Sequence, residues 1–394
     1  MTDRGRAVAV LATATYLAAW AFGTRALYPA AVGLALAIGL GWAWVRILRR
    51  PLVLRRGLGA AEHLEGDDVP VLIEATVRPP APRSLVAVDA IDRLGERRVK
   101  LGRHGGTLLG RYTLRDVPRG RYHFAGARTV IEDPFGLFHA ESEPTGEGTL
   151  LVYPRLVEVD RLFSEAGGAA QEGGRMLMRR TSGFDLHSVR DYQEGESLRK
   201  VHWRTTARRG RLMVKELEDT PHDEVAIVLD ADRNIAPGPA FDVQVRAAGS
   251  ILRVHALRGR RALLAVTTAP PEYRRVTSFD GEWQLARELL AAVEPTGGER
   301  VDAFLARDAS PAGQAVELVV VTSALTPRLA DALVERTLSY RPASLVLAGR
   351  TDVPPRDPML LRLHAAGVPL AIVGPHDDLR AKLSALPERA AAHG

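Results

Sequence analysis

EVAIVLD, residues 224–230, is the stretch on which the fold turns. Five consecutive apolar residues closed by an acid read as a strand buried on both faces, because a strand with one wet face alternates instead. The residues beyond it repeat the theme. Residues 241–258 carry apolar side chains at Val245, Ala248, Ile251 and Leu252, with His255 on the same spacing, which is the period of a helix. Strands are expected at 262–267, 317–322, 344–348 and 369–373, and helices at 282–293, 327–340, 358–366 and about 378–386. Strands alternating with helices predict a doubly wound α/β unit, a parallel sheet covered on both sides. Ligands of such sheets sit beyond the carboxyl ends of the strands, which makes Asp230 a candidate site residue.

Working back towards the amino terminus, the pattern changes. Residues 69–77, 85–91, 107–114 and 122–131 are short strand-like runs divided by Pro- and Gly-rich turns, and predict an antiparallel β-sandwich or barrel. No catalytic grouping is visible there. Residues 164–183 are rich in Gly, Ala and charge and read as a linker or a loosely held helix. The expected organisation is 1–50 membrane hairpin, 51–160 β-sandwich-like domain, 161–222 linker and motif segment, and 223–394 α/β domain.

The first fifty residues are the most apolar. Residues 7–24 and 26–45 carry no charge, and a spanning helix needs about 20 mostly apolar residues. Two spans joined at Arg25 are preferred to a cleaved signal, because the first stretch is thin in Leu and Ile and the second follows at once. Arg4 and Arg6 precede the pair, and Arg46, Arg49, Arg50, Arg55 and Arg56 follow it. The positive-inside rule then predicts a two-pass plasma-membrane protein with both termini in the cytoplasm.

Composition excludes several chemistries. The 394 residues contain no cysteine, which removes disulfides, thiolate zinc sites and cysteine nucleophiles. There is no Gly-x-x-x-x-Gly-Lys-Ser/Thr loop, no His-Glu-x-x-His helix and no Gly-x-Ser-x-Gly elbow. The clusters His222-Asp223-Glu224 and His376-Asp377-Asp378 read as hydrated turns. The formal charge is +6, yet residues 175–215 alone carry +7. Within them Ser197 is a candidate cap for a helix ending near Gly210, on which Lys200, Arg204 and Arg208 fall on one side. That basic stripe is either a surface for an acidic partner or a set of internal ion pairs with the nearby acids. Trp203 either anchors an interface or packs this helix onto the sheet.

The segment 183–219 carries ordered motifs: Arg190-Asp191-Tyr192, Gly195-Glu196, Arg199 to Trp203, Ala207-Arg208 and a closing strand over 212–216. Together with DPFGLF at 133–138 and YPR at 153–155, these motifs resemble the bacterial family catalogued as domain of unknown function 58. The resemblance implies a membrane-anchored protein with a von Willebrand factor A-like domain. It also implies association with a MoxR-type AAA+ ATPase and a transglutaminase-like membrane protein, and a partner surface drawn from Arg190, Tyr192, Arg199, Lys200, Trp203, Arg204 and Arg208. No enzymatic activity is implied, and the expected function is that of a non-enzymatic scaffold. The alternative is a divalent-metal-dependent ligand-binding protein. Von Willebrand-type domains place Asp-x-Ser-x-Ser after the first strand. Here Asp230, Asp232 and Asn234 stand at those positions, and such oxygen donors suit Mg²⁺. A later-strand Asp is replaced by Thr322-Ser323. No cofactor is otherwise implied, and no nucleic-acid role is expected.

Overall fold

The structure is a computed structural model and describes residues 1–48, 53–76, 84–165, 186–191, 203–217, 224–235, 238–307, 310–349 and 357–384. The chain divides into two compact units, Met1–Tyr153 and Pro154–Gly394.

The first unit opens with two helices, α1 (Asp3–Ala21) and α2 (Tyr28–Leu48), joined by a single 3₁₀ turn at Arg25–Leu27. Thr2 caps α1 by accepting the Gly5 N–H at 3.0 Å. Small residues bury where the two helices meet, Ala12 and Ala19 on one and Ala31 on the other, and Tyr16 meets Tyr28 edge to face at 5.8 Å. Among the described residues, one helical stretch, Arg25–Leu48, is long and apolar enough to cross a membrane. The first helix, with its many Ala and Thr, falls short of that mark.

Nine strands follow: β1 (Val53–Leu58), β2 (His63–Leu64), β3 (Val69–Thr76), β4 (Ser84–Ile91), β5 (Gly95–His104), β6 (Thr107–Leu114), β7 (Gly120–Glu132), β8 (His139–Glu141) and β9 (Gly148–Tyr153). They form one hydrogen-bonded sheet in the order β1-β3-β6-β5-β4-β7-β9-β2, with β8 on β7. Of the sandwich or barrel expected, no break separates two sheets. Instead the sheet rolls. Arg56 on β1 reaches Asp89 on β4, four places along the path, with Nε 3.1 Å from Oδ2, and a second bond joins the same two groups. Tyr112 on β6 donates to the same carboxylate at 2.6 Å. The guanidinium also lies 4.0 Å over the Phe124 ring. Roll and alternation together make two apolar clusters. One holds Leu54, Ile73, Leu85, Val99 and Leu108, with Leu48 of α2 packed against it. The other holds Val69, Val71, Tyr122, Phe124 and Val152.

The second unit begins with Pro154. Val159 and Leu162, assigned by sequence to the sandwich and the linker, instead bury in the same cluster as Ile227 and Ile251. A two-stranded antiparallel ribbon pairs β10 (Leu186–Asp191) with β11 (Met213–Leu217), and the short helix α3 (Trp203–Arg209) lies between them in sequence. Gly210, at φ +67°, ends α3 by donating to the Thr206 carbonyl at 2.9 Å, a left-handed position that suits glycine.

The remainder is the α/β body. Its elements are β12 (Val225–Leu229), α4 (Pro239–Leu257), β13 (Ala262–Val266), β14 (Glu272–Val276), α5 (Gly281–Ala292), α6 (Val301–Leu305), α7 (Pro311–Gln314), β15 (Glu317–Thr322), α8 (Pro327–Leu338), β16 (Ala343–Ala348), α9 (Pro358–Ala365), β17 (Leu370–Val373) and α10 (Leu379–Leu383). The sheet order is β14-β13-β12-β15-β16-β17. All neighbours are parallel except the edge strand β14, which turns back along β13. Two apolar clusters line the two faces. Ile227, Leu264, Val319 and Val346 pack with α4 and α5. Ala226, Leu263, Val320 and Leu345 pack with α6, α8 and α9. The side chains predicted for one face of α4, Val245, Ala248, Ile251, Leu252 and His255, are all buried.

Candidate functional site at the switch point

The strand order reverses at β12. The chain passes from β12 to β13 on one side and later returns to β15 on the other, so the carboxyl end of β12 is the topological switch point, the place where ligands of such sheets sit. Register then dictates which residues meet there. Leu229 stands level with Val266 on β13 and with Val321 on β15. The next residue of each strand path is therefore Asp230, Thr267 and Thr322, side by side.

Thr322 Oγ1 donates to Asp230 Oδ2 at 2.6 Å, and Thr267 Oγ1 approaches Oδ1 at 3.4 Å. The Asp232 N–H donates to the same Oδ1 at 3.2 Å. Each hydroxyl is itself held: Thr267 accepts from Ala231 N at 2.8 Å, and Thr322 accepts from Ala324 N at 3.1 Å. Asp230 is fully buried, and burial pushes its carboxyl above the usual range, an effect the Thr322 and Asp232 hydrogen bonds oppose.

The loop after β12 closes over this centre. Asp232 Oδ1 accepts both the backbone N–H and the side-chain amide of Asn234, each at 3.0 Å. Ser323 Oγ donates to the Ile235 carbonyl at 2.8 Å. Gly297 bridges from the far side, donating to Ala231 O at 2.8 Å and accepting from Arg233 N at 3.1 Å. A Cβ at Gly297 would lie 2.1 Å from the Thr267 carbonyl, so only glycine fits.

Asp230, Asp232 and Asn234, the three candidate metal ligands, are therefore neighbours, but their donor atoms are turned to the protein. Both Asp230 oxygens accept hydroxyls. Asn234 presents its amide nitrogen, a donor, to Asp232. Among the described residues no group of three or more His, Asp or Glu is placed to hold a metal ion. As placed, these side chains use their polar atoms in hydrogen bonds to one another and to the strand ends, and what they do is lock three loop starts together. Thr267 and Gly297 were not singled out by sequence. The signal for Thr267 was available, since it follows a buried strand run as Asp230 does; Gly297 has no local signal.

The candidate partner surface is described in part. Arg190 is on β10, opposite Val214 in register. Tyr192, Arg199 and Lys200 lie outside the described residues, as does the side chain of Arg204 on α3. Trp203 opens α3 with 63% of its surface exposed. Arg208 and Arg209 are exposed on the same helix, and Leu212 is partly exposed just beyond it.

Comparison with known proteins agrees with the motifs. A profile for the family described as "Protein of unknown function DUF58" matches residues 188–334, a run reaching from β10 into α8. The chain is 26% identical over 216 residues to the "Uncharacterized protein YeaD" of Bacillus subtilis (strain 168), covering 55% of this chain and 53% of that protein. The chain thus spans about half the length of this curated relative.

Proposed function

We propose that this chain is a membrane-tethered docking protein without chemistry of its own. Its two amino-terminal helices form a two-pass anchor with both ends in the cytoplasm, and its α/β unit is a von Willebrand factor A-like binding module. The observation that carries the reading is the large exposed indole of Trp203 on the same short helix as the exposed residues Arg208 and Arg209. Tryptophan and arginine are the side chains that most often anchor protein interfaces, and exposing both on one short helix suits an acidic partner surface. The strand order, with an antiparallel edge outside a parallel sheet, supports the module's class. A MoxR-type AAA+ ATPase is the partner that the motif resemblance favours, with a transglutaminase-like membrane protein beside it.

The test is co-purification of the intact, detergent-solubilised chain with the MoxR-type ATPase, with nucleotide state varied. Wild type retains the ATPase, and Trp203→Ala/Arg208→Glu loses most of it. Equal retention by both overturns the assignment of the surface, and no retention by wild type overturns the partner. The rival reading, a metal-dependent ligand receptor, draws on the closeness of Asp230 and Asp232, and is weakened by the inward turn of their donors.

A further inference from the structure

The turn between β7 and β8, DPFGLF at residues 133–138, is stapled to both amino-terminal helices. The Thr2 N–H donates to the Leu137 carbonyl at 2.9 Å, and Thr2 Oγ1 donates to the Gly136 carbonyl at 2.7 Å. Gly5 on α1 lies so close that a Cβ there would meet Leu137 O at 2.3 Å. A Cβ at Gly41 on α2 would sit 3.0 Å from Asp133 Oδ2 and 3.2 Å from the Phe138 ring. The turn therefore grips the start of one helix and a point inside the other.

That point fixes a depth. Between Tyr28 and Gly41, α2 rises about 20 Å at ~1.5 Å per residue. Between Gly5 and Ala21, α1 rises about 24 Å by the same rule. A hydrocarbon core is about 30 Å thick. With the bend at the far face of such a core, Gly41 stops about 10 Å short of the near face, which carries the turn into the near leaflet rather than leaving it in the cytosol.

The turn is made for such a place. Asp133 is buried, and its carboxylate is satisfied by the backbone N–H groups of Phe135 at 2.9 Å and Phe138 at 2.5 Å. Gly136 N donates to the Asp133 carbonyl at 3.0 Å. Backbone groups paired within the turn do not need water, which is the condition for sitting near lipid. At the tip Phe135 holds 57% of its surface exposed. Trp42 and Trp44, immediately after Gly41, are also exposed, and Arg46 lies 5.8 Å over the Trp42 ring. Aromatic rings backed by arginine are what the membrane–water interface selects.

We infer that the 133–138 turn is a lipid-contacting element, with Phe135 inserted in the same leaflet as Trp42 and Trp44. The inference rests on the tethering reading and goes beyond it, because it makes the sheet unit itself part of the membrane contact.

The absence of cysteine makes the test direct. Phe135→Cys, His104→Cys and Leu36→Cys each introduce a single thiol, labelled with an environment-sensitive fluorophore, in the intact chain reconstituted into phosphatidylcholine/phosphatidylglycerol vesicles. Positions 135, 104 and 36 are all exposed, so each thiol is tolerated. The probe at 135 is expected to shift to the blue and lose emission to nitroxides placed near the headgroup, while 104 keeps an aqueous spectrum. The probe at 36 is quenched by nitroxides deep in the chains. An aqueous spectrum at 135 with deep quenching at 36 overturns the turn's role and leaves the tether standing. A blue shift at 135 without nitroxide quenching means protein, not lipid, covers it, and also overturns the inference. An aqueous spectrum at 36 removes the tether and the inference together.

Discussion

Thr322 gives its hydroxyl proton to Asp230 at 2.6 Å, joining the ends of two adjacent parallel strands from residues ninety-two apart in sequence. Deleting that donor leaves a buried carboxylate oxygen short of a partner. Thr322→Val keeps the shape and is expected to lower unfolding free energy by about 1–3 kcal/mol. Urea denaturation of the intact chain measures it; a change of a few tenths would mean the hydroxyl is dispensable.

The same carboxylate sets a pH dependence. Its folded pKa is raised, chiefly by desolvation, so the folded state holds the proton more tightly than the unfolded state. The resulting contribution is fully present below the unfolded value of about 3.9 and is lost as pH rises through the folded value. Asp230→Asn removes this term. The difference in urea midpoint between variant and wild type is expected to move in the variant's favour as pH rises through that window. A pH-independent difference would show the carboxyl to be unperturbed.

Gly297 is held between two carbonyl oxygens, at 2.1 and 2.8 Å from where a Cβ would lie. Gly297→Ala forces the β12 loop away from Thr267 and is expected to cost about 1–3 kcal/mol by overpacking. Thermal unfolding reads the cost. An unchanged midpoint would mean the loop relaxes freely and is no lock.

In the first unit, Asp89 is the buried partner of Arg56 and Tyr112. Asp89→Ala strands a buried guanidinium, and a loss of about 3–5 kcal/mol is expected. Arg56→Met/Asp89→Leu removes both charges and is expected to recover much of it. A double variant as weak as the single one would place the cost in packing rather than charge.

Titration of Mg²⁺ into the intact chain is expected to give no saturable heat, and Asp230→Ala no change from that baseline. A saturable isotherm lost in Asp230→Ala would restore the metal-dependent reading.

Much of the α/β unit was legible because strands buried on both faces write themselves as apolar runs. The predicted strand over 317–322 coincides with β15, and the helix over 282–293 is shifted from α5 by one residue at each end. Charged strands were not legible. GERRVKLGRH forms β5, mostly exposed, and EYRRV forms the edge strand β14, mostly half-buried, and neither sequence shows a hydrophobic period. The rolled sheet was also hidden, since continuity of hydrogen bonding depends on pairings between strands far apart in sequence. Asp230 was found because strand ends are where ligands gather. That its oxygens are already claimed by Thr267 and Thr322 depends on parallel register, which one strand's sequence does not contain.

The hairpin's two ends are fastened to one rolled sheet, at Thr2 through the turn and at Leu48 through its apolar cluster. Two fastenings make the pair of helices a lever: torque exerted on the sheet reaches both helices at once, and a change in helix tilt swings the sheet with it.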